Sequence, residues 1–115
     1  MSNIKLFETK KVRTHWNEKE EKWYFSVIDV IEILTESPRP RKYWNALKTK
    51  LKAEGSEVSH KLGQLKMEAE DGKMRETDVG DTESLLRIIQ SIPSPKAEPF
   101  KQWLAKVGYE RMSEI

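Results

Sequence analysis

"VRTHWNEKEEKWYFSVIDVIEIL", residues 12–34, carries two periodicities in one run. "VRTHW" (12–16) alternates, with Val12, Thr14 and Trp16 on one side and Arg13 and His15 on the other, as a half-buried strand does. "KWYFS" (22–26) is aromatic and reads as its partner across the polar link "NEKEEK". The period then lengthens: Val27, Val30, Ile31 and Leu34 follow the i, i+3, i+4, i+7 spacing of one buried helix face. Ser26 and Asp29 mark the switch, the serine oxygen taking an orphan amide and the carboxylate facing the positive helix end. A hairpin running straight into a capped helix is predicted, and "IKLF" (4–7) predicts a short third strand.

Moving outward, Pro38 and Pro40 push the residues before them out of the helical region and should stop the first helix by Ser37. Pro40 is acceptable as a first helical residue, so a second helix is expected from about Pro40 to Glu54, with Gly55 as its stop. Tyr43, Trp44, Leu47 and Leu51 form its apolar stripe, while Arg41, Asn45, Lys48, Thr49 and Lys52 gather opposite. Lys50 falls off that cationic stripe, near Tyr43.

"GQLKMEAEDGKMRETDVGD" (63–81) reads as a second hairpin turning at "EDGK". Met74 and Val79 have opposite parity, which predicts a bulge or an early strand end. Asp81 or Thr82 should cap a third helix with Leu85, Ile88, Ile89 and Ile92 inside, ended by "PSP" (93–95). A last helix is expected with Ser94 as cap, Pro95 in its first turn, and Phe100, Trp103, Leu104 and Val107 on one face. The predicted class is therefore α+β: a single domain of two β-hairpins, forming a small antiparallel sheet, packed with about four helices. Residues 1–108 make up the domain, and 109–115 read as the start of a linker or helix toward further C-terminal sequence.

The totals bound the function. A chain of 115 residues suits one core, and four tryptophans argue against disorder. Without cysteine there is no disulfide framework and no thiolate zinc site. No run is long and apolar enough to cross a bilayer or serve as a secretory signal, so a cytoplasmic setting without membrane contact is expected. His15 and His60 sit in no pattern with a nucleophile, and there is no Gly-rich phosphate loop; neither catalysis, metal nor cofactor is expected.

Charge is distributed unevenly along the chain. Residues 37–53 hold Arg39, Arg41, Lys42, Lys48, Lys50 and Lys52 with no acid, whereas 68–83 hold seven Asp and Glu against Lys73 and Arg75. Lysine on an amphipathic helix can be merely its wet side. A short capped helix, a turn, then a longer helix with a basic outer face is, however, the arrangement of helix-turn-helix readers of DNA. In that reading Arg39, Arg41, Lys42, Lys48 and Lys52 approach phosphates, Thr49 lies on the same DNA-binding face, Asn45 or Arg41 reaches a base edge, and Lys11 and Arg13 add backbone contacts from the first hairpin.

Two further stretches carry a family resemblance. "EKWYFSVIDVIEIL" is similar to the aromatic-x-x-x-Asp-Val-x-x-x-Leu core of the BRO family N-terminal (Bro-N) domain, through Phe25, Asp29, Val30 and Leu34. "LLRIIQSIPSPKAEPFKQWLAKV" resembles its closing motif through Ser91, Ala97, Phe100 and Trp103. The nearest branch is of the DNA-damage-inducible protein D and phage antirepressor-like type. The resemblance implies a DNA-binding module; a non-catalytic regulatory role is expected, with duplex favoured over single strand and oligomerisation left open. A rival from another class is a protein-interaction module for a repressor or DNA-repair factor, working through the acidic hairpin at 68–83.

Overall fold

The structure, a computed structural model, describes residues 2–55, 57 and 61–110. Strands β1 (Ser2–Phe7), β2 (Lys10–Asn17) and β3 (Lys22–Ser26) lead into helices α1 (Val27–Thr35) and α2 (Pro40–Ala53). Strands β4 (Gly63–Glu68) and β5 (Met74–Asp81) follow, then α3 (Thr82–Gln90) and α4 (Ala97–Glu110). His60 and residues 111–115 lie outside the described part.

The two predicted hairpins are halves of one five-stranded antiparallel sheet in the order β1-β2-β3-β5-β4. They are joined by Tyr24 opposite Asp81, Phe25 opposite Gly80 and Ser26 opposite Val79. A side chain at Gly80 would press on Leu62, since a Cβ there would come within 3.1 Å of Leu62 Cδ2. The β4–β5 register runs without interruption from Gly63 opposite Val79 to Glu68 opposite Met74, so the expected bulge or early end is absent. Parity is resolved in another way: Val79 is buried on one face and Met74 is 58% exposed on the other. The turn is made by Gly72, whose φ of 81° suits the Asp-Gly pair.

Ser26 caps α1 by accepting the Asp29 amide (3.4 Å). Five of the nine α1 residues are buried, so the helix is a central beam rather than a surface element. Trp44, Leu47 and Leu51 of α2, Leu85, Ile88 and Ile89 of α3, and Phe100, Leu104 and Val107 of α4 complete one core with Val12, Trp23 and Phe25 of the sheet. Trp103 Nε1 donates to the Leu6 carbonyl (2.8 Å) and ties α4 to the edge strand β1. Helix α4 begins at Ala97 rather than Pro95, because Ser94 closes a separate turn by accepting the Lys96 amide (3.1 Å). Pro99 fits in the first turn of α4, where its missing N–H leaves no helical bond unmade.

The sheet face opposite the core carries Arg13, and its guanidinium locks three parts together. Nε and Nη2 donate to Asp29 Oδ2 (2.8 Å) and Oδ1 (2.9 Å), Nη2 also donates to Ser26 Oγ (3.2 Å), and Nη1 donates to the Glu68 carbonyl (3.1 Å). The Arg13 amide adds a bond to Asp29 Oδ2 (2.9 Å). Strand β2, the start of α1 and the end of β4 thus share one charge-assisted junction. The Arg13→Met variant leaves Asp29 poorly solvated and without its counter-charge, and is expected to lower stability by about 3 kcal/mol. Urea unfolding followed by tryptophan fluorescence measures the loss; a change within about 0.5 kcal/mol, as for an ordinary surface substitution, would contradict the assignment.

Candidate nucleic-acid interface

Helix α2 is delivered by a turn that contains no glycine. Glu36 takes the left-handed conformation (φ 55°) in its place, and Lys96 Nζ holds its carboxylate at 2.9 Å. Hydrogen bonding to Lys96 keeps the Glu36 carboxyl below the ordinary glutamate range. Thr35 Oγ1 donates to the Ile31 carbonyl (2.7 Å) and accepts the Ser37 amide (3.1 Å), and Ser37 Oγ accepts the Arg39 amide (3.1 Å). Side chains therefore hold the turn that separates the two helices.

Arg39 is the N-cap of α2, without a capping side-chain bond, and no acid stands in the first turn. At about 100° per residue, Arg41, Lys52, Asn45, Thr49 and Lys42 fall within an arc of about 100°, over about 16 Å of helix. All five are exposed, as are Arg39 and Lys50. Among the described residues no carboxylate pairs with Arg39, Arg41, Lys42, Lys50 or Lys52. Thr49 Oγ1 donates back to the Asn45 carbonyl (2.9 Å), which leaves the hydroxyl oxygen as an acceptor and the Asn45 side chain turned to solvent.

Other cations named from the sequence stand elsewhere. Lys48 lies at the edge of the apolar stripe, half-buried, with Nζ 3.0 Å from Asp78 Oδ2 and 5.7 Å from the Trp44 ring. Arg13 has all three guanidinium nitrogens engaged internally. Lys11 is exposed, but it stands on β2 opposite Leu6, on the sheet face that bears Ile4 and Leu6 rather than on the helix.

The acidic run also divides. Glu68, Glu70, Asp71 and Glu76 are exposed, with Asp71 bonded to Arg75. Asp81 caps α3 through the Ser84 amide (2.9 Å) and binds Lys22 Nζ (3.0 Å), holding that ammonium above the ordinary lysine value. Asp78 accepts Trp44 Nε1 (2.8 Å), Lys48 Nζ and Gln64 Nε2 (3.0 Å). Its role was missed in the sequence; the available signal was its parity with Gly80, which places it on the core side of β5. Among the described residues no His, Cys, Asp or Glu group is suited to a metal, and no helix is long and apolar enough to cross a membrane.

The sequence profile of the BRO family, N-terminal domain (Bro-N), matches residues 11–110. The chain belongs to this family. No match was found among curated proteins or among solved structures. Bro-N domains are in general DNA-binding regulatory domains and generally not enzymes. The Bro-N motif residues Phe25, Val30, Leu34 and Phe100 are buried and Asp29 receives Arg13, so the motif marks the scaffold and not the exposed face of α2.

Burial pushes the Asp78 carboxyl up, but bonds from Gln64, Trp44 and Lys48 outweigh it and hold the pKa below the ordinary aspartate value. Because the folded pKa lies below the unfolded one, near 3.9, the resulting stability is present above about pH 4 and is lost as pH falls through the folded value. The urea midpoint of the native chain should therefore decline below about pH 4, and that of Asp78→Asn should start lower and decline less. Parallel declines in the two proteins would contradict this.

Proposed function

We propose that the domain binds duplex DNA through the exposed face of α2, as the reading module of an antirepressor-like regulator in the cytoplasm. Arg39, Arg41, Lys42 and Lys52 meet phosphates, and Asn45 or Arg41, with the forked or amide groups suited to base edges, reaches into the major groove. Thr49 adds a hydroxyl beside Asn45.

The observation that carries this reading is the cationic face, unneutralised among the described residues. Arg39, Arg41 and Lys42 surround the positive end of the α2 dipole, where each cation costs about 0.3–1 kcal/mol instead of stabilising the helix. Folding alone gives no reason for that placement, whereas a bound polyanion reverses its sign. The aromatic rings of α2 favour duplex over single strand: Trp44 is buried and Tyr43 half-buried, so the helix offers no platform on which unpaired bases would stack.

With Lys48 and Arg13 held internally, four phosphate ligands remain on and beside α2, and the log–log salt dependence of duplex affinity should have a slope of about −4. Arg41→Glu and Lys42→Glu should each abolish binding of labelled duplex at moderate salt. A slope near zero, or native-like affinity in both variants, would falsify the proposal. The competing protein-interaction reading is supported by Met74, 58% exposed beside the acidic residues of the hairpin. It predicts capture of a repressor or repair factor that is lost on neutralising Glu70, Asp71 and Glu76 and unaffected by Arg41→Glu.

A further inference from the structure

Helix α2 rests on α1 chiefly through Trp44, Leu47 and Leu51. Apolar contact of this kind is non-directional: it fixes how deeply a helix sits, but only weakly how far it is rolled about its own axis. The roll matters for a reading helix. At a side-chain radius of about 5–6 Å, a roll of about 20° moves each cation by about 2 Å, enough to break a hydrogen bond to a phosphate. A directional contact sets it more sharply than packing alone.

One carboxylate does this. Trp44 and Lys48, one helical turn apart, both donate to Asp78 Oδ2, at 2.8 and 3.0 Å, while Gln64 Nε2 holds Oδ1 at 3.0 Å. Trp44 is 3% exposed, so its indole N–H has no solvent to turn to if Asp78 is lost. Gln64 and Asp78 are register partners on β4 and β5, so the carboxylate is itself braced across the hairpin.

We propose that Asp78 and Lys48 are a positioning pair, through which the acidic hairpin sets the angle of the basic helix, and that Lys48 is not a phosphate ligand. The acidic and basic stretches are then one device. Neutralising the hairpin at Asp78 then weakens DNA binding although Asp78 itself makes no DNA contact.

The binding arm of the test rests on the DNA reading above; a second arm does not. Lys48→Met keeps the aliphatic stem and removes the charge. It should weaken duplex affinity by about tenfold, the loss of one charged hydrogen bond, with the salt slope unchanged. Lys52→Met, a phosphate ligand in this account, should reduce the magnitude of the slope by about 0.9. In the free protein, hydrogen exchange at the Trp44 indole N–H and at the α2 amides should speed up in Lys48→Met and Asp78→Ala, and stay at the native rate in Lys52→Met. A slope in Lys48→Met reduced like that of Lys52→Met, or native indole exchange in Lys48→Met, overturns the pair. Should the native domain bind no duplex at all, the DNA reading fails while the exchange arm still decides the positioning role. If Asp78→Ala does not fold, Lys48→Met alone carries both arms.

Discussion

The fold turns on the guanidinium of Arg13 against the carboxylate of Asp29. Helix α1 begins at Val27, directly after the last residue of β3, so no loop absorbs an error in its direction. A first-turn aspartate held by both oxygens fixes that direction, and the remaining donors of the same arginine reach Ser26 and the Glu68 carbonyl of the second hairpin. With side chains 20% and 13% exposed, the pair is screened far less than a surface bridge such as Lys101 with Glu98. Once α1 is aimed, its buried surface offers α2 a bed, and α2 can carry cations outward.

Charge in this chain is thus sorted by partner rather than by sequence neighbourhood. Arg13, Lys22 and Lys48 are spent on Asp29, Asp81 and Asp78, each of which has a structural duty at a helix start or a helix seat. The cations left over on α2 have no such duty among the described residues. That remainder is what the proposed DNA reading rests on, because a merely solvated face gains nothing from crowding the positive end of its own dipole. BRO family membership supports DNA binding in general, and the proposed reading assigns that role to the residual patch.

Local chemistry was legible in the sequence: the Ser26 cap, the Asp-Gly turn, the proline stop before α2 and the Asp81 cap each declare themselves within four or five residues. Contacts made at long range were not. The pairing of β3 with β5 runs through Gly80, which has no side chain to contribute to a pattern, and it bridges residues 26 and 79. Strand alternation correctly turned Arg13 away from the core, and the helical wheel placed Lys48 with the outer residues, yet their carboxylates arrive from 16 and 30 positions away. Periodicity tells which way a side chain leaves the backbone, not what waits for it. The same limit explains why the arc of Arg41, Asn45, Thr49 and Lys52 could be named in advance while the pairing of Lys48 with Asp78 could not.

The most direct test of the central claim maps where a polyanion lands. In a titration of the isotope-labelled domain with a short duplex at low salt, amide and side-chain resonances of residues 39–52 should shift first and furthest, with Asn45 and Arg41 among them and the hairpin tip at 69–73 unmoved. If the largest shifts fall instead on the β1–β2 face around Ile4, Leu6 and Lys11, or on the hairpin tip, the exposed face of α2 is not the DNA surface and the account is wrong.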